Sequence, residues 1–456
     1  MSRSHPFIFE IIRTWAMETP DDEALVFLRA DQTVERISYI ALHRRVEKQT
    51  VLFRELPPCS RVGLMAAHGP EFLVEALAIL AAGHCLVPVN GQLPSSQRDE
   101  LMDRAGIHAL RNASTNELTL CAGQPIDLAS DDDYRALTPA YLRFTSGSTG
   151  QRKGVLLSHP TLLARTEAAN TRLHISPSDR VLCLLPMVDH FIVSILLYLR
   201  YGATILLVEN AADAPAFAEA ESATVLYGAP NQYRQFENPL PHLRLAVSTT
   251  QGLSAAIANA FLEKTGQPIT QALGIIEAGL LTLNDTHAAT DPLLAGEPMP
   301  DYHLTIVSDD SRAGEIHVAG PGLLDAYVSP WRPQTSLLHE HGLATGDHGW
   351  LDDSGCLHLV GREKNRLQFD GSSFFCEEIE STINQNAVVF ESLVFQRGEY
   401  LVAQVVPRDP AIDIAELSKL LGDELKLIHA PLQVEIVTAL PLTPTGKLAR
   451  PHAVAR

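Results

Sequence analysis

Apolar and polar positions along this chain fall into blocks that switch between the helical and the strand period. Residues 7–18 carry apolar side chains at helical spacing, and Thr19-Pro20 closes that helix. Residues 24–28 and 36–39 read as a strand pair around a turn at Asp31-Gln32. A strand at 61–66, an apolar helix at 70–83 and a strand at 85–89 follow, the order of a βαβ unit in a parallel sheet. Periodicity is lost over residues 111–139, which read as a solvated loop around the acidic run Asp131-Asp132-Asp133. Beyond it the pattern predicts a helix over 161–173, a strand over 181–186 and an apolar helix over 192–201. Strands at 224–229 and 243–248 are each expected to lead into a helix. The last stretch reads as a helix at 377–385, strands at 392–396 and 401–407, and a helix from Ile414. The fold class expected is therefore α/β: a large N-terminal domain of layered βαβ sheets over 1–364 and a small α+β domain over 365–456.

Composition narrows the function classes. A chain of 456 residues is long for one core, which agrees with two domains. Its net charge of −19 argues against a nucleic-acid partner, which needs a basic face. Six cysteines, at 59, 85, 121, 183, 356 and 376, are scattered without a CxxC pair, the pattern of free thiols in a reducing compartment. The longest apolar region, 181–208, is broken by Asp189, His190 and Arg200, so it reads as buried structure and not as a membrane span. With no secretion signal evident near residue 1, the expectation is a cytoplasmic protein without a membrane partner.

The chemistry concentrates in YLRFTSGSTGQRKGVLLSH, residues 141–159. Gly147, Gly150 and Gly154 let the backbone approach a ligand closely, and successive N–H groups of such a turn form an anion-binding concavity. Hydroxyls of Thr145, Ser146, Ser148 and Thr149 add donors, and Lys153 adds a mobile positive charge suited to phosphate. A Gly/Ser linker would not place a lysine and an apolar strand directly after the loop. Nor is it the common P-loop, because Lys153 is followed by Gly154 instead of a hydroxyl residue.

This stretch resembles the phosphate loop of the adenylate-forming superfamily, which contains acyl- and aryl-CoA synthetases, nonribosomal peptide synthetase adenylation domains and luciferase. The family usually has proline where Arg152 stands, a loss that loosens the loop. Residues 61–90 resemble the family's N-terminal segment, and His68 and His84 within it read as structural. At Met187-Val188-Asp189-His190-Phe191 the family places a residue that closes one wall of the acyl pocket. His190 is a candidate for that wall. Asp189 is either the anchor for a substrate amine, as in amino-acid-activating relatives, or a helix N-cap.

Thr250-Gln251-Gly252 sits where the family has its adenine-binding turn, a positional match only. Residues 271–279, QALGIIEAG, resemble the Y-G-x-T-E block: Gly274 and Glu277 match, and the resemblance makes Glu277 a catalytic residue holding Mg²⁺ beside the phosphates. Leu273 stands where an aromatic stacks on adenine, and Ile276 where a threonine bonds the phosphate. That missing bond costs on the order of 1.5–3 kcal/mol. Ala272, Leu280 and Leu281 match acyl-pocket positions, and all are apolar. GEIHVAGPG, 314–322, with Tyr327 beyond it, resembles a structural β-block.

In Ala344-Thr345-Gly346-Asp347 the resemblance makes Asp347 a ribose ligand, although an aspartate beside glycine can also form an Asx-turn. Gly361-Arg362 resembles the G-R-x-x-D block, in which the arginine reaches the ribose; Asn365 stands at the hinge position where aspartate is usual. Gln368 replaces a lysine found in many CoA ligases. The segment Pro444-Thr445-Gly446-Lys447 resembles the catalytic-lysine motif, and an ammonium there stabilises charge building at the α-phosphate. The resemblance thus implies ATP and Mg²⁺ as cofactors, a small carboxylic acid with an aryl or hydrophobic body as substrate, and acyl-adenylate formation. Transfer to a phosphopantetheine thiol follows, on a carrier protein or on CoA; the compact chain and Gln368 lean toward the carrier. An amino-acid-adenylating enzyme and a degenerate nucleotide-binding homologue are the competing readings.

Overall fold

The computed structural model describes residues 7–121, 131–144, 153–285, 293–308, 313–369, 372–426, 430–442 and 448–451. Two large sheets form the N-terminal part. The first, of 14 strands, is parallel through its middle, in the spatial order Glu23–Leu28, Thr204–Val208, Arg180–Cys183, Val225–Gly228, Leu245–Ser248 and Ile269–Ile275. It continues antiparallel through Gly279–Asn284 and Leu294–Pro298 to Leu357–Arg362 and Gly342–Leu351. The second, of eight strands, has Arg61–Met65 and Cys85–Pro88 parallel at its centre, with Pro139–Phe144 and Gly154–Ser158 beside them. Helix Pro70–Ala81 connects that parallel pair, and every residue from Phe72 to Leu80 is buried. Such burial explains its largely apolar sequence, since a helix apolar nearly all round belongs inside a large core, and the one charge in that stretch, Glu75, is paired with Arg111.

The small C-terminal α+β domain pairs Val389–Arg397 antiparallel with Tyr400–Pro407, which runs parallel to Leu432–Ile436. Helices Cys376–Asn384 and Ile414–Glu424 cover this sheet around a separate core that includes Ile379, Val394, Val405 and Leu421. The fold class read from the pattern is the one observed.

Local expectations fail in three places. Residues 111–139 are not one irregular loop: Ala109–Asn112 and Glu117–Leu120 form a hairpin, and Asp131–Ala136 is a helix. Its acidic run opens that helix, where the macrodipole favours negative charge. The strand Val225–Gly228 leads into a 3₁₀ segment, Pro230–Gln235, instead of a full helix. The expected helix over 192–201 begins earlier, at Met187, and passes through a π-helical segment, Phe191–Ile195, before Leu196–Arg200. Among the described residues no helix is long and apolar enough to cross a membrane.

Candidate active site

The parallel strands of the first sheet point their carboxyl ends at a cavity of about 1530 Å³, the usual place for ligands in open α/β sheets. It exceeds the ~300–1,000 Å³ of common small-molecule pockets and has room for a nucleotide and an acid together. Walls come from both large sheets and from the C-terminal domain, which adds Glu377, Glu391, Leu448 and Arg450.

Most of the residues singled out in the sequence meet here. Lys153, Asp189, His190, Thr250, Gln251, Gly252, Ala272, Leu273, Gly274, Glu277, Leu280, Asp347, Arg362 and Asn365 all line the cavity. Leu281 does not: it is buried in the core, because successive residues of the strand Gly279–Asn284 face opposite sides. The loop residues Thr145, Ser146, Gly147, Ser148, Thr149 and Gly150, and Lys447, lie outside the described residues.

Glu277 occupies the turn between Ile269–Ile275 and Gly279–Asn284. Gly274 permits that tight reversal, since a Cβ there would stand 2.8 Å from the Gly279 carbonyl oxygen. The Tyr327 hydroxyl donates to Glu277 Oε1 at 3.1 Å, and Lys153 Nζ lies 5.1 Å from the centroid of the Tyr327 ring. Burial, with the Glu277 charge beside it, pushes the Tyr327 phenol well above its ordinary pKa, so it stays a donor. No group of three or more metal-binding side chains occurs among the described residues. Magnesium needs fewer, because it takes one or two carboxylates and completes its shell with phosphates and water. Glu277, a hard oxygen donor on the cavity wall, fits that donor set.

Asp347 and Arg362 face each other on neighbouring strands, and Arg362 Nε lies 2.8 Å from Asp347 Oδ1. Burial raises the Asp347 pKa, and the Arg362 charge pulls it back. Asp347 is not in an Asx-turn: it sits within the strand Gly342–Leu351, just before a register shift at His348 and Gly349.

Asp189 lies inside the short helix Met187–His190, whose N-cap is Pro186, so the N-cap alternative is not the one observed. Its carboxylate pairs with Arg143 Nη2 at 2.7 Å, while Arg143 Nη1 donates to the Asp189 carbonyl at 2.5 Å. His190 Nδ1 stands 3.3 Å from the Tyr227 hydroxyl. His68 accepts from the Met187 N–H at 3.3 Å, and burial pushes its pKa down to about 4. His84 is buried with Nε2 2.8 Å from the Phe53 carbonyl. Neither histidine lines the cavity.

Thr250 adopts φ +81°, unusual for a β-branched residue, and its Oγ1 and the Gln251 Oε1 are buried without a partner among the described residues. Asn365 donates to Glu377, which also lies 3.5 Å from Arg450 Nη2. Sequence reasoning missed Arg143, Tyr227 and the hydrogen bond from Tyr327 to Glu277. No local signal marks them, because each acts through a partner far along the chain.

Residues 12–328 match the family described as AMP-binding enzyme, and residues 378–447 match the AMP-binding enzyme C-terminal domain. The chain is 27% identical to feruloyl-CoA synthase from an Amycolatopsis species, over 91% of this chain and 92% of that protein. It is 25% identical to bacitracin synthase 3 from Bacillus licheniformis, with 97% of this chain covering only 8% of that protein. In fold it is similar to ATP-bound MatB from Rhodopseudomonas palustris, at a TM-score of 0.80 and 22% identity over 96% of this chain and 97% of that one.

Proposed function

The chain belongs to the AMP-binding enzyme family, and from that premise we propose that it activates a carboxylic acid with ATP and passes the acyl group to a thiol. A carboxylate oxygen attacks the α-phosphorus in line. The bond to the bridging oxygen breaks, pyrophosphate leaves, and an acyl-adenylate forms. A thiolate then attacks the acyl carbon and AMP departs. The observation that carries this reading is the convergence of Lys153, Glu277, Asp347 and Arg362, from distant segments, on one cavity.

In this reading Lys153 and the loop Thr145–Gly150 hold the phosphates, and Asp347, kept aligned by Arg362, accepts the ribose hydroxyls. Thr250, Gln251, Gly252, Leu273 and Gly274 border the adenine. Glu277 would hold Mg²⁺, which when bound neutralises charge on the phosphate oxygens. Lys447 stabilises the negative charge that builds at the α-phosphate. His190, Ala272 and Leu280 line the acyl pocket and favour an aryl or otherwise hydrophobic body. Arg143 already neutralises Asp189, which disfavours the amine-anchor role and with it an amino-acid substrate.

The domain boundary falls at 364/365, and the C-terminal domain turns about Asn365 to admit the thiol. The acceptor is a phosphopantetheine thiol. Gln368, in place of a lysine, favours a carrier protein over free CoA, whereas the name of the feruloyl-CoA synthase relative favours CoA.

ATP–pyrophosphate exchange across aryl, fatty and amino acids tests the first step. Exchange is expected with an aryl or fatty acid and should fall by about 10²–10³-fold in Lys447→Ala, the usual loss for one transition-state stabilising group. ATP binding without exchange for any acid would instead identify a non-catalytic homologue. AMP release with CoA against a holo-carrier protein separates the acceptors, and full turnover with CoA alone would exclude the carrier.

A further inference from the structure

The turn that carries Glu277 is held by three donors from three other parts of the chain. Arg165 Nη1 donates to the Ile276 carbonyl at 2.7 Å, the Leu324 N–H to the Glu277 carbonyl at 2.7 Å, and the Tyr302 hydroxyl to the Ala278 carbonyl at 2.6 Å. Arg165 does more than the other two. Its Nε also donates, at 2.5 Å, to the carbonyl of Gly322, in the segment that leads to Tyr327, whose hydroxyl bonds the Glu277 carboxylate. One guanidinium therefore fixes the backbone of Glu277 and the approach of that residue's side-chain partner.

Arg165 is 6% exposed, and burial lowers its pKa to about 10, so it remains charged at neutral pH. Among the described residues it bonds only main-chain carbonyls, and its Nη2 is buried without a partner. A buried arginine bonded to no carboxylate is a costly way to hold two loops, a cost that the nearby Glu277 and Asp325 charges offset in part. The chain also makes room for it: a Cβ on Gly322, at φ +79°, would stand 2.5 Å from Arg165 Cγ, and one on Gly279, at φ +93°, 3.3 Å from its Cδ. The helix that presents Arg165, His159–Leu173, follows directly on the strand Gly154–Ser158, which comes next in sequence after the glycine-rich loop. Arg165 thus ties this helix to the turn bearing the carboxylate.

We propose that Arg165 is a positioning residue that sets the Glu277 carboxylate for magnesium-bound ATP, an inference that rests on the reading of Glu277 as the Mg²⁺-holding group. The test is ATP binding by calorimetry, with Mg²⁺ and with EDTA, in wild type, Glu277→Gln, Arg165→Met and Arg165→Lys. Wild type should bind ATP more tightly with Mg²⁺, and Glu277→Gln should lose most of that gain. Arg165→Met should lose about ten-fold or more of it, the usual effect of removing a group that orients a metal ligand, with EDTA binding unchanged. Arg165→Lys, which can still reach one carbonyl, should recover part, and adding Arg165→Met to Glu277→Gln should cost nothing further.

A purely structural role would lower the melting temperature and leave the magnesium gain intact, so a folded Arg165→Met with the wild-type gain overturns the proposal. Where that variant does not fold, Arg165→Gln carries the same comparison, and a full gain in it is equally decisive. If Glu277→Gln itself keeps the gain, the reading of Glu277 fails and this proposal with it. If only Arg165→Met keeps it, the reading of Glu277 stands and the proposal alone falls.

Discussion

His159 is 4% exposed, with no hydrogen-bond partner on either ring nitrogen among the described residues, and burial pushes its pKa down to about 4. In the unfolded chain the same ring titrates near its ordinary value of about 6.5. Between those values the unfolded state binds the extra proton, so stability is lost as pH falls from about 6.5 toward 4. The single residue should account for about 2 kcal/mol of lost stability between pH 7 and pH 5. Urea unfolding of wild type and His159→Gln at both pH values checks this. The variant should lose less stability on acidification, and an identical loss in both proteins would contradict the assignment. At the same scale, Leu273 and Ile276 both line the cavity. Their apolar side chains add surface there but no hydrogen-bond donor.

Among the elements, the connection after the strand Leu245–Ser248 holds a residue in an unfavourable backbone conformation. It must reverse within a few residues to reach the helix Ala255–Thr265, which Ser254 caps by accepting from the Ile257 N–H. Thr250 absorbs that reversal at φ +81°, where a β-branched side chain crowds its own backbone. Such a conformation costs roughly 1–3 kcal/mol, partly offset in a glycine variant by greater freedom of the unfolded chain. Thr250→Gly should therefore raise stability by about 1 kcal/mol in urea. Equal or lower stability would mean that Thr250 gains more from its packing than it loses in strain. The strain lies beside the cavity, and the π-helical segment after His190 is a second irregularity on the same rim. Irregular backbone of both kinds collects at functional sites.

At the scale of the whole molecule, the C-terminal domain has its own core and packs against the large domain, with Phe375 close to Gly361 and the His348 ring. Phe390 bridges them: it packs against the large domain's second core cluster, with Arg234 4.1 Å and Arg408 5.7 Å from its ring centroid. Phe390→Ala should loosen this docking by about 2 kcal/mol, the sum of a partly buried ring and a cation–π contact. Limited proteolysis between the domains should then run about ten-fold or more faster, while thermal unfolding of the large domain stays unchanged. Unaltered cleavage would show that docking depends on other contacts across the boundary, such as that between the Phe375 and His348 rings, instead.

The sequence alone determined the order of elements and the chemistry on offer. The βαβ alternation from 61 to 89 was legible because side chains a few residues apart set it, and Glu277, Asp347 and Arg362 were legible because each sits in a short motif. Hairpin 109–120 was not, because its polar, weakly alternating letters are also those of a loop. Only the tertiary structure decided that Arg143 occupies Asp189, that Tyr327 bonds Glu277, that Arg165 holds the Glu277 turn, and that Leu281 faces the core while Leu280 faces the cavity. These pairings join residues 46, 50 and 111 positions apart. Their partners are chosen by how sheets stack and loops close, and no local periodicity records that choice.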